Sequence, residues 1–426
     1  MKGNLGEKVT KWKIALLVLE GILISAYLVL TVFYVWFKVD QNGFIKKFSK
    51  NSLVRMYLSN VAADDYEEKV QDTGFNKENV TTNNEIGEEI ETYRNIALFG
   101  IDSRNSAFDD QVHSDSIIIV SINNKTGEVK LASVYRDTML KMTNRQGEEV
   151  YTKANSAFFM GGAENAVSML NINLDLNITD YAVVNFTGLT KIIDALGGID
   201  VNITPQEKFY INGYLVETRE ITGMDAPDVA EAGHVHLCGL QATAYCRIRY
   251  VTFTDEDGTD YHYDMGRTAR QRSVLKKLVA KAKLAGAGQV MSIADSILNY
   301  NTADEKILTT SLTFDEVMDL IPTMLDFELT ETMGFPFTCD TPTIDKASVV
   351  VANGLSYNVT KLHEYLFGEK NYIPSLQVQN ISDYLENYTG IPTIKLKEDE
   401  TGNNTEDETG STSDNGEEPG SADENQ

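Results

Sequence analysis

The sequence predicts an α/β fold, a sheet covered on both faces by helices, and three observations carry that expectation. From Tyr93 onward short apolar runs alternate with helix-patterned stretches, the order of elements that an α/β sheet requires. The runs are bounded by polar turns such as "NNKTG". The helical stretches close on glycine, as in "TGLTKIIDALGG", where a left-handed residue ends a helix.

Ahead of that region, Ile14 to Phe37 ("IALLVLEGILISAYLVLTVFYVWF") holds one charged residue, Glu20. At about 1.5 Å per residue this run exceeds the roughly 30 Å of a bilayer's hydrocarbon core, so it reads as a transmembrane helix. It is longer than the core of a signal peptide, and no A-x-A site follows it. Lysines flank it on both sides, so charge does not orient it. A short tail (1–13) and a long following domain favour the tail inside the cell and the domain outside. Residues 38–90 are polar and weakly periodic, a stalk with some helix.

"NIALFGI", "SIIIVSI" and "EVKLASVYRD" then read as strands, "GGAENAVSMLNI" as a helix, "YAVVNF" as a strand, "TGLTKIIDALGG" as a helix and "IDVNI" as a strand. "LQATAYCRIRY" runs from a helix into a polar, aromatic segment. "MGRTARQRSVLKKLVAKAKLAGAG" is a long basic amphipathic helix with Val274, Leu275, Leu278 and Val279 on its core side. Further helices are expected from 285 to about 335. This bounds a domain at 91–340, followed by an extension at 341–396 in which "KLHEYLF" is helical. Residues 397–426 contain no large apolar side chain and read as a disordered acidic tail.

The 426 residues carry 37 Lys and Arg against 63 Asp and Glu, a net charge of -26. That balance excludes nucleic-acid binding by bulk charge. A phosphate ligand must therefore be held by a local arginine cluster or by a metal ion. Cys238, Cys246 and Cys339 show no CxxC spacing; Cys238 and Cys246 could pair, but buried free thiols are the favoured reading.

Charge is concentrated where the first strand turns into the second. Asp102 closes one strand and Asp115 opens the next, with Arg104, Asp109, Asp110 and His113 between them. In open α/β sheets ligands bind beyond the carboxyl ends of strands. Two carboxylates there, completed by waters and phosphate oxygens, suit magnesium; alternatively they bond nearby backbone N–H groups in a turn. Arginines favour the first reading. Arg136 ends the third strand beside Asp137, Arg247 and Arg249 lie two apart as if on one face of an extended segment, and Arg267, Arg270 and Gln271 fall within one helical turn. The arginine fork of donors matches phosphate oxygens, so together they point to a shared polyanionic ligand. His234 and His236 form an H-x-H without an evident third ligand, and no GxSxG, Walker A or Cys–His signature is present.

"LFGIDSR", "HSDSIIIVSINNKTGEVKLASVYRDT", "KANSAFFMGGAENAV", "YAVVNFTGLTKIIDALGGIDVNI", "GLQATAYCRIRY" and "DMGRTARQRSVLKKL" together resemble, in order and over about 95–280, the LytR-CpsA-Psr proteins of bacterial cell-envelope assembly. The resemblance implies a mixed sheet with helices on both faces, outside a cytoplasmic membrane that anchors it. It implies a magnesium-dependent phosphotransferase that moves an anionic glycopolymer, such as teichoic acid or capsule, from undecaprenyl pyrophosphate to peptidoglycan. It assigns Asp102 and Asp115 to magnesium; Arg136, Asp264, Arg267 and Gln271 to catalysis; and Arg104, Lys153, Arg247, Arg249 and Arg270 to the pyrophosphate. Asp264 would orient Arg267, serve as a base or cap the helix. Phe158, Phe159 and Phe186 are candidate cleft linings or aromatic core. The family commonly has Arg-Ser-Asp where this chain has His113-Ser114-Asp115, and the loop from Arg249 to Asp264 is longer than usual. The missing arginine motivates a second reading, a non-catalytic sensor of polyprenyl phosphates.

Overall fold

The computed structural model describes residues 64–72, 74–83, 88–102, 112–302, 306–317, 319–320, 328–394, 396–398 and 404–406. The expected transmembrane run, Arg104 and most of the acidic tail lie outside them. Among the described residues no helix is long and apolar enough to cross a membrane.

The first described helix, α1 (Asp64–Lys69), corrects the expectation of a stalk up to residue 90. Tyr66 and Val70 are buried, and Gln71 bridges Thr310. Lys77 and Arg94 share Asp180 and Glu316 at 2.6 to 3.5 Å. An apolar face and paired charges hold this segment against the domain.

Three strands, β1 (Tyr93–Ile101), β2 (Ser114–Asn123) and β3 (Glu128–Val134), form an antiparallel meander. A hairpin, β4 (Met139–Thr143) with β5 (Glu149–Lys153), leads into α2 (Ser156–Leu174). β6 (Asp180–Asn185) returns parallel to β1. Then come α3 (Phe186–Ala195), β7 (Ile199–Ile203), α4 (Pro205–Thr222), β8 (Gly233–Leu237), which pairs with β7, and α5 (Gly239–Tyr245). The small hairpin β9 (Phe253–Thr254) and β10 (Asp260–Tyr261) precedes α6 (Tyr263–Tyr300). β11 (Leu308–Thr310) and β12 (Glu328–Phe335) add the two sheet edges, and α7 (Leu355–Phe367) and α8 (Leu376–Thr389) follow. The main sheet has the order β11-β6-β1-β2-β3-β12 with parallel and antiparallel pairs. The helices expected from 285 to 335 are thus corrected in part. α6 continues to Tyr300, but "ELTETMGF" forms the edge strand β12, its threonines being residues that fit a pleated surface.

Strand periodicity divides the core. β1 sends Ala97, Phe99 and Ile101 to one face and Ile96 and Leu98 to the other; β2 likewise separates Ile117 and Ile119 from Ile118 and Val120. The first face is packed by α2, α7 and α8, where Leu170, Leu362 and Val378 are fully buried. The segment expected as a separate extension after 340 is therefore part of the main core. The second face receives α6 through Leu275 and Val279. A third cluster joins α3, α4, α5 and β7–β8 to Val274 and Leu278 of α6.

At the end of β6, Asn185 accepts a hydrogen bond from Gly188 N at 2.8 Å and caps α3. Gly188 is required by close approach, since a Cβ there would lie 2.2 Å from Ile307 O. Across the expected start of the acidic tail at residue 397, Leu396–Glu398 pairs with Asn404–Glu406 in a short antiparallel ladder.

Leu362→Ala is expected to lower stability by about 2–5 kcal/mol, the cost of a cavity in a packed core. The exposed Leu376→Ala is expected to change it by less than about 0.5 kcal/mol. Urea unfolding of the two variants checks that α7 and α8 belong to the domain core.

Candidate active site

A cavity of about 420 Å³ lies between the second face of the sheet and helices α3, α4 and α6, within the size range of small-molecule sites. It is graded from polar to apolar. On α6, Arg267 and Gln271 are followed at helical spacing by Val274, Leu275 and Leu278, and all five line it. On β1 the same order runs backwards, from Asp102 past the strand's carboxyl end to Leu98 inside. Asp115, Glu217, Arg247 and Arg249 complete the polar end; Ile118 and Leu189 complete the apolar end.

Carboxylates hold the arginines at the polar end, where Arg249 and Arg267 line the cavity while Arg136 and Asp264 stand behind its lining. Arg136 Nη1 donates to Asp115 Oδ1 at 2.5 Å, and its Nε lies 3.8 Å from Asp137 and 3.7 Å from Asp264. Arg267 Nη2 donates to Asp264 at 3.0 Å and to the Asp115 carbonyl at 3.2 Å. Arg249 Nε stands 3.9 Å from the same Asp264. Burial opposes the Arg136 charge, but Asp115, Asp264 and Asp137 outweigh it and raise its pKa. Burial pulls the Arg267 guanidinium down to about 10, with Asp264 opposing, so it stays cationic at neutral pH. Arg136 Nε, Arg267 Nε and Gln271 Oε1 are buried without a hydrogen-bond partner among the described residues. Each such group costs about 1–3 kcal/mol unless a partner arrives.

Arg247 is held differently. Its guanidinium donates to Glu217 at 2.7 Å and Thr218 Oγ1 at 3.0 Å, and it lies over the Phe186 and Tyr214 rings at 4.8 and 5.3 Å. Both Arg247 and Arg249 face the cavity, though from the turn after α5 and not from a strand. Sequence reasoning missed Glu217, Tyr214 and the second-row acid Asp137. No local signal marks Glu217 or Tyr214, since their helical spacing is that of any amphipathic helix.

Other expected residues stand elsewhere. Arg270 is fully buried away from the cavity, donating to Glu207 at 3.1 Å and to the carbonyls of Ile248, Val251 and Thr252. Glu207 also closes the capping box of α4 with Thr204, a motif readable in "TPQE". Arg270 is therefore a structural residue, its donors spent on the fold. Lys153 sits one layer behind the cluster, 2.8 Å from Asp137. His113 does not line the cavity; its exposed ring stacks on Phe159 at 4.9 Å and 4°. Of the phenylalanines, Phe186 lines the cavity, while Phe158 packs against Phe99 in the core. His234 and His236 project from β8, with His236 Nδ1 2.9 Å from Asp200. Cys238, Cys246 and Cys339 are free, and burial pushes the Cys246 thiol up to about 12.

Among the described residues no group of three or more His, Cys, Asp or Glu is placed to hold a metal ion. Asp102 and Asp115 nevertheless face one cavity. Magnesium takes one or two carboxylates and fills its remaining positions with water and phosphate oxygens, so this oxygen donor set fits it when a phosphate ligand is present.

Residues 53–356 match the LytR_cpsA_psr family. The chain belongs to this family. A LytR_cpsA_psr relative, the polyisoprenyl-teichoic acid–peptidoglycan teichoic acid transferase TagU of Bacillus cereus, is 30% identical over 225 residues, covering 53% of this chain and 62% of its own length. The biofilm regulatory protein A of Streptococcus mutans is 33% identical over 191 residues, covering 44% of this chain and 43% of its own length. The crystal structure of protein gbs0355 from Streptococcus agalactiae shares the fold, with a TM-score of 0.52 at 24% identity over 71% of this chain and 97% of that one.

Arg270→Ala is expected to cost about 3–5 kcal/mol, because it strands a buried Glu207. Arg249→Ala, at a side chain about one-third exposed, is expected to cost less than about 1 kcal/mol. Urea denaturation of the pair distinguishes the structural arginine from the site arginine.

Proposed function

We propose that the chain is a membrane-anchored phosphotransferase that moves an anionic glycopolymer from a polyprenyl pyrophosphate carrier, such as undecaprenyl pyrophosphate, to peptidoglycan, with its domain outside the bacterial cytoplasmic membrane. The observation that carries this reading is the graded cavity. An apolar end between sheet and α6 suits an isoprenoid chain, and the arginine cluster at the other end suits a pyrophosphate. The activity named for the TagU relative supports it.

Arg136, Arg247, Arg249 and Arg267 would bind the phosphate oxygens, and Gln271 would offer its amide beside them. Asp264, in contact with Arg136, Arg249 and Arg267, fixes their positions so that no reorganisation is needed as charge develops. An acceptor hydroxyl attacks the polymer-bearing phosphorus in line, forming a new P–O bond as the bond to polyprenyl phosphate breaks. The departing electron pair stays on the leaving phosphate, beside the arginines, and the hydroxyl proton passes to Asp264 or to water. Magnesium, when bound by Asp102 and Asp115, supplies further positive charge to the pyrophosphate oxygens. His113 leaves the cavity's arginines in place, which favours catalysis over sensing.

Phosphate-linked turnover of a polyprenyl pyrophosphate by the detergent-solubilised full chain tests this reading. Magnesium-dependent cleavage should fall at least about 100-fold with chelator and in Asp115→Ala and Arg249→Ala. Tight binding without turnover, even with an acceptor supplied, would sink the transferase reading and leave a sensor.

A further inference from the structure

Three aromatic side chains outside the cavity have no part in the site described above. Tyr250 is 65% exposed and Phe209 is 72% exposed. Tyr210, packed against the α3–α5 core cluster, joins them, with ring centroids 5.6 Å from Phe209 at 88° and 6.4 Å from Tyr250 at 41°. Their place follows from the chain. Tyr250 comes directly after Arg249, and Tyr210 precedes Tyr214 and Glu217 by four and seven residues of α4, on the same helical face. Arg249, Tyr214 and Glu217 all line the cavity. The aromatic cluster therefore continues the polar end of the cavity outward, next to the arginines.

Leaving such rings in water forgoes their burial, and what lies beside them narrows what they meet. A group joined to a pyrophosphate held by Arg247 and Arg249 projects from the polar end. In a lipid-linked glycopolymer that group is a sugar ring. A pyranose has an apolar C–H face and a polar rim of hydroxyls, which match the faces and the phenolic oxygens of tyrosine.

We propose that Tyr250, Tyr210 and Phe209 form a stacking platform for the sugar joined to the pyrophosphate. The proposal rests on the pyrophosphate reading and deepens it by naming a specificity-determining surface.

The test compares two probes on the detergent-solubilised full chain by calorimetry: farnesyl diphosphate, and the same lipid carrying N-acetylglucosamine on its distal phosphate. Tyr250→Ala and Phe209→Ala should each weaken the sugar-bearing probe about fivefold and leave farnesyl diphosphate unchanged, while Tyr250→Phe keeps the wild-type preference. Equal weakening of both probes, or of neither, overturns the platform. If the wild type binds neither probe, the pyrophosphate reading fails, and the platform falls with it.

Discussion

Guanidinium groups held by carboxylates at the edge of a sheet are the constraint on which the site depends. Asp115 and Asp264 together touch Arg136, Arg249 and Arg267, and Arg267 is almost wholly buried. Like charges this close would repel one another in a low-dielectric pocket. The carboxylates neutralise part of that repulsion, and Arg249 and Arg267 still line the cavity. The fold thereby gathers guanidinium donors in one place within a chain of net charge -26.

Helix α6 divides its labour by angle. Arg267 and Gln271 share the face that meets the cavity, and Val274, Leu275 and Leu278 extend it into apolar space. Arg270 points elsewhere, to Glu207 and the carbonyls after α5. That contact ties α6 to the start of α4, which presents Tyr214 and Glu217 to the same cavity. One arginine thus ties two walls of the site together, and its neighbours Arg267 and Gln271 line the cavity. The sheet supplies the remaining wall by alternation, since the residues of β1 and β2 that do not enter the α2, α7 and α8 core face α6.

The likeness of Arg267 and Arg270 in the sequence explains where reading by motif went astray. Three residues apart in one basic run, they carry the same chemistry, and only the neighbours supplied by α4 and the loop after α5 separate the cavity-facing residue from the structural one. Arg247 and Arg249 were legible as a pair, but their backbone was not: a turn after a short helix aims them as an extended segment would. His113 looked like a loss of charge at the phosphates, whereas stacking on Phe159 takes its ring out of the cavity.

By itself, the sequence determined the alternation of strands and helices, the graded face of α6, the acidic corner at Asp102 and Asp115, and the family. These depend on local periodicity and on motifs that survive in one dimension. Tertiary structure alone decided that residues 64–72, 74–83 and 341–394 belong to the domain, and that β11 and β12 close the sheet edges. It also decided that Asp264 gathers three arginines and that Glu217 holds Arg247. The physical reason is contact between distant segments: a carboxylate chooses its guanidinium by distance and burial, and neither quantity is written in the order of residues.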